Sequence, residues 1–165
     1  MDSTRGVILI HSAPTALCPH IEWAASAALG SPVRFDWTPQ PAEPRTLRAE
    51  FSWIGKVGTG AALASALTRC ERLRFEVTEE ATPASEGMRW AYTPRLGTFS
   101  AVIGLHGDIL IHENRIKRAI VSEALGGKPL QEALNDLLGT GWDDELEAFR
   151  HAAEDAPVRW LHRVG

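Results

Sequence analysis

The sequence predicts an α+β fold, a ferredoxin-like βαββαβ unit in the first half with a β-hairpin and a C-terminal helical extension. Three observations predict it. Apolar residues alternate with period two in three segments of residues 1–80. Two segments with helical spacing separate them in the order strand, helix, strand, strand, helix, strand. Such a unit places two helices on one face of a four-stranded antiparallel sheet.

Val7 to Ile10 is a short β-branched run, suited to a strand buried on both faces. Pro19 can open a helix, because its missing N–H is not needed in the first turn. Ile21, Ala24, Ala25 and Ala28 then fall on one helical face, and Gly30 stops it. Val33, Phe35 and Trp37 alternate with Arg34 and Asp36 as a second strand. Leu47, Ala49, Phe51 and Trp53 form a third, across a stiff loop holding Pro39, Pro41 and Pro44. Thr59 is the expected N-cap of a second helix carrying Leu63 and Leu67. Leu73, Phe75 and Val77 make the fourth strand, with Arg74 and Glu76 on its polar side.

Residues 80–87 read as a loop. Arg89–Thr93 and Thr98–Ile103 form a hairpin around Pro94 and Gly97, followed by a short strand at Ile109–Ile111. Helices are expected over Glu113–Leu125, Pro129–Leu138 and Asp143–Ala153, the first two stopped by glycines, with a closing strand at Val158–Val164. The 165 residues are read as a single domain, 1–80 being the ferredoxin-like half and 87–165 the hairpin, helices and closing strand.

A net charge of -4 gives no reason to expect nucleic acid as a partner. Two cysteines far apart, Cys18 and Cys70, point to a reducing compartment rather than a disulfide scaffold. The first apolar run is too short for a signal peptide or a membrane span, so a cytoplasmic location with no membrane partner is expected.

Candidate sites compete with plainer accounts. His11, Cys18 and His20 flank the first strand-to-helix turn, but their spacing matches no standard zinc site, and neither metal nor cofactor is expected. Cys18 beside His20 at a helix start could act as a nucleophile with a base. His106 and Asp108 could form an acid–base pair, although His-Gly-Asp is also an ordinary turn. Gly55, Lys56, Gly58, Thr59 and Gly60 lie between a strand and a helix, where backbone N–H groups can cradle phosphate. Their spacing fits neither nucleotide-loop signature, and a capped glycine turn accounts for them equally. Asp143, Asp144 and Glu145 suit the positive end of a helix dipole. Six tryptophans are generous for this length. Trp37 and Trp53 lie on apolar strand faces, whereas Trp90, Trp142 and Trp160 neighbour Arg89, Asp143 and Arg159. Trp and Arg dominate binding hot spots, so Arg89, Trp90, Trp142 and Trp160 are the expected partner contacts.

Four strings carry a family resemblance: GVILIHSAPTALCPHIEW (Gly6–Trp23), LHGDILI (Leu105–Ile111), WDDELEAFR (Trp142–Arg150) and PVRWLH (Pro157–His162). Over nearly its whole length the chain resembles the uncharacterised actinobacterial family called domain of unknown function 3145. The resemblance implies a cytoplasmic protein and brings no catalytic residue with it. It also implies a link to fatty-acid synthesis, with a fatty-acid synthesis enzyme or an acyl-CoA carboxylase as partner. The leading expectation is therefore a non-catalytic accessory or regulatory subunit of a metabolic enzyme complex. The alternatives are a small-molecule or nucleotide sensor using the Gly55–Gly60 loop, and a small enzyme using Cys18 and His20 or His106 and Asp108.

Overall fold

The computed structural model describes residues 2–152. The strands are β1 (Ser3–Pro14), β2 (Thr38–Pro39), β3 (Thr46–Lys56), β4 (Arg74–Glu79), β5 (Gly87–Thr93), β6 (Gly97–Ile103) and β7 (Ile109–Leu110). The helices are α1 (Cys18–Leu29), α2 (Thr59–Leu67), α3 (Glu113–Ala124), α4 (Leu130–Leu138) and α5 (Thr140–Arg150). The described strands form one sheet in the order β2-β3-β1-β4-β5-β6-β7, antiparallel at every pairing. The order β2-β3-β1-β4 is that of the split βαβ unit. The hairpin of the second half continues the same sheet beyond β4 rather than building another.

Register fixes which side chains share a face. Ile8 lies opposite Phe51 and Val77, and Ile10 opposite Ala49 and Phe75. These side chains meet Ile21 and Ala25 of α1 and Leu63 and Leu67 of α2 in the main core. Burying a side chain such as Ile21 or Leu63 completely contributes about 2 kcal/mol. Helix α1 ends as its sequence predicts, at Gly30 with φ 74°, whose N–H reaches the Ser26 carbonyl. A smaller core lies on the opposite face, where Ala91, Phe99 and Ala101 pack against Leu146 of α5.

The expected strand over 33–37 is replaced by the two-residue β2. Its alternation was real, since Val33 and Phe35 are buried. Its N–H groups are bound elsewhere: Val33 donates to Ser26 Oγ at 2.8 Å and Phe35 to the Glu22 carboxylate at 2.7 Å, both on α1. A segment tied to a helix in this way pairs with the sheet only at Thr38 and Pro39. Thr59 does not cap α2. Gly58 does, with φ 97°, a conformation glycine adopts at no steric cost. Helix α5 begins at Thr140, three residues before the expected start. The expected closing strand over 158–164 lies outside the described residues.

Candidate functional site

The second face of the sheet carries a buried polar cluster that joins three strands to α5. A β-bulge in β1 gives it an extra residue between Ile10 and Ala13. His11 and Ser12 both sit in that bulge and reach the same face: His11 meets Glu76, and the Ser12 hydroxyl accepts from Arg74 at 3.3 Å. Glu76 and Arg74 are two apart on β4, and Arg89 comes from β5. Asp143 and Arg150, seven apart on α5, complete the group from above.

Glu76 is the hub. His11 Nε2 lies 2.6 Å from its carboxylate, and both side chains are almost wholly buried, at 5% and 7% exposure. Arg89 and Arg150 also donate to Glu76, and each donates to Asp143, at 2.8 and 3.0 Å. Burial pushes the Glu76 carboxyl upward, but the hydrogen bond and charge of His11 and the two guanidiniums outweigh it. The group is held well below the ordinary carboxylate range. Burial also opposes charge on Arg89 and Arg150, and the two carboxylates more than offset it, so both stay charged. A second ring of contacts seals the cluster. Gln40 Nε2 donates to the His11 and Phe149 carbonyls, and Arg74 lies 4.6 Å over the Phe149 ring while pairing with Glu43.

Arg89 and Arg150 are each paired with both Glu76 and Asp143, and Arg74 is paired with Glu43, so each guanidinium of the cluster already has a carboxylate partner. Shallow grooves occur elsewhere, one along α3 and one between the ends of β1 and the loop after β4. The chemistry of the cluster is therefore that of a fastener: it holds α5 against the sheet. The sequence signal was present but ambiguous. Arg74 and Glu76 read as the polar side of an alternating strand, Arg89 as a partner contact and Asp143 as a dipole partner, because nothing local says that a helix will return to cover them.

The sequence profile of the family described as Protein of unknown function (DUF3145) matches residues 7–163. The chain belongs to the DUF3145 family. No curated protein and no solved structure matches it. Among the described residues, this family member has no helix long and apolar enough to cross a membrane and no group of His, Cys, Asp or Glu side chains arranged to hold a metal ion.

The residues singled out from sequence fall in different places. Trp90 is in the main core, where it packs on Gly60 of α2, and Arg89 belongs to the ion cluster. Trp142 is half-buried on Phe99, with its indole N–H donating to the Gly97 carbonyl at 2.9 Å. Trp160 lies outside the described residues. Along the glycine loop, Gly58 N–H donates at 2.7 Å to Glu79, a buried carboxylate of β4 that thus occupies the start of α2. Gly55 packs against the Thr59 side chain, Gly60 is buried, and Lys56 ends β3 exposed. Cys18 is buried with its thiol near the Pro14 carbonyl, and burial pushes its pKa up, the reverse of an activated thiolate. His20 is exposed, as are His106 and Asp108 in their turn.

Sequence reasoning missed the outer face of α3. There Ile120, Val121 and Leu125 are 50%, 56% and 82% exposed, although the helix contacts α4 and buries Ala119. Helical spacing alone gave no clue, because it does not say which apolar positions find a partner within the chain.

Proposed function

We propose that the protein is a non-catalytic interaction subunit, an accessory or regulatory component of a cytoplasmic metabolic enzyme complex. The observation that carries this reading is the outer face of α3. Apolar side chains at Val121 and Leu125 line a shallow groove beside Lys117 and Arg118, and among the described residues no core claims them. Exposed apolar side chains one turn apart beside basic residues, rather than scattered singly, favour a protein-binding surface. The polar cluster supports the reading from the other side. Its guanidiniums are paired within the fold, and it serves to hold α5, whose N-terminal end follows directly on α4, the neighbour of α3. A rigid mount for an exposed helix is what a docking module needs.

The partner class suggested by the family resemblance is a fatty-acid synthesis enzyme or an acyl-CoA carboxylase. The test is affinity purification of a chromosomally tagged copy from the native host, read by mass spectrometry. A stoichiometric enzyme partner is the expected result; recovery of the protein alone, at native expression and low salt, contradicts the proposal.

A further inference from the structure

The α3 groove has a shape that selects its occupant. Lys117, Val121 and Leu125 are four apart and form one ridge along the helix. Asn114, Arg118 and Ser122 form the adjacent ridge, which ends in Gly126. The groove is the furrow between these two rows, and a furrow between i±4 rows receives the corresponding ridge of a second helix, crossing at about 50°. Ser122, Gly126 and Gly127 are small, so the C-terminal end of the furrow is open to close approach. The stretch from Asn114 to Leu125 is about 17 Å long at 1.5 Å per residue, three turns of helix.

Charge selects further. The residues lining the furrow include two cations and no carboxylate, in a chain whose net charge is -4. Lys117 is paired with Glu113, one turn earlier, at 2.9 Å. Arg118 makes no ion pair among the described residues, so a basic charge stands beside the apolar Val121 and Leu125. We infer that α3 is the docking site for an acidic amphipathic helix of a partner protein, seated with its apolar ridge in the furrow and a carboxylate on Arg118. The inference rests on the interaction reading above and names the partner's chemistry. A protein helix fits better than an anionic membrane, because of the two cations lining the furrow Lys117 is already paired with Glu113, and one remaining guanidinium there attracts a lipid surface only weakly.

The test is photo-crosslinking in the native host, with p-benzoylphenylalanine in place of Val121, Leu125, Trp23 or Ile54 in separate full-length copies. All four positions are exposed, so the substitutions leave the core alone. The expected result is a protein adduct from positions 121 and 125, mapped by mass spectrometry to a segment with helical apolar spacing and flanking Asp or Glu. Arg118→Glu should lower the yield roughly tenfold, and Arg118→Lys should retain it. Adducts only from positions 23 or 54 overturn the α3 inference while leaving the interaction reading standing. Adducts at 121 and 125 to a basic segment or to lipid overturn it as well. Absence of adducts from all four positions overturns both.

Discussion

Replacing Glu76 by Gln tests the claim that the polar cluster fastens α5 to the sheet. The substitution keeps the shape of the side chain and removes its charge. Arg89 and Arg150 would then share one carboxylate, Asp143, while His11 would lose its charged acceptor. Removing one partner from a buried ionic group costs about 3–5 kcal/mol, and the retained amide oxygen places Glu76→Gln near about 3 kcal/mol. That is a large share of a typical total of about 5–15 kcal/mol. For a chain of this size it corresponds to a fall in Tm of about 6–12 °C. Urea and thermal unfolding followed by circular dichroism measure the loss. Hydrogen exchange locates it, and α5 amides should lose protection before those of β1 and β4, because Leu146 is the only fully buried side chain that α5 contributes among the described residues. A loss under about 1 kcal/mol with α5 protection unchanged would refute the fastener account.

Other predictions follow from the same geometry. Because Glu76 has a folded pKa well below its unfolded value, its contribution to stability is complete above about pH 4.3 and is lost as pH falls through the folded value. Acid titration of stability should therefore be steeper in the native protein than in Glu76→Gln, and identical slopes would contradict this. Gly6→Ala places a Cβ 1.9 Å from the Thr78 carbonyl oxygen and against the Trp53 ring, so it should cost about 3 kcal/mol or more, measured by urea denaturation. Trp142→Phe keeps the packing on Phe99 but loses the hydrogen bond to Gly97, and should cost about 1 kcal/mol in the same assay. Cys18, buried and with its thiol pKa raised, should react with iodoacetamide at neutral pH more slowly than free cysteine; faster reaction would revive the nucleophile reading.

Much of the fold was legible because hydrophobic period reports burial directly. The alternation of Leu47, Ala49, Phe51 and Trp53, the helical face from Ile21 to Ala28 and the Gly30 stop each describe a local choice, and each is found. The segment 33–37 shows where period fails. Val33 and Phe35 are buried as a strand would bury them, but their N–H groups go to α1 side chains, a tertiary contact that alternation cannot report. Thr59 failed for a similar reason, since the carboxylate that meets the start of α2 comes from Glu79, twenty residues on. The polar cluster was hidden by the same limit. Its parts come from β1, β4, β5 and α5, and each is ordinary in its own segment. Trp90 and Arg89 stand next to one another in sequence, yet strand alternation sends one into the main core and the other to the ion cluster.

The most direct test of the claim that the protein binds its partner through α3 is a paired purification from the native host: the tagged native protein beside Val121→Asp/Leu125→Asp. Both positions are exposed, so the variant should fold with unchanged Tm. The account predicts a stoichiometric protein partner with the native chain and its loss with the variant. A partner retained undiminished by the variant, or none with the native chain, would contradict it.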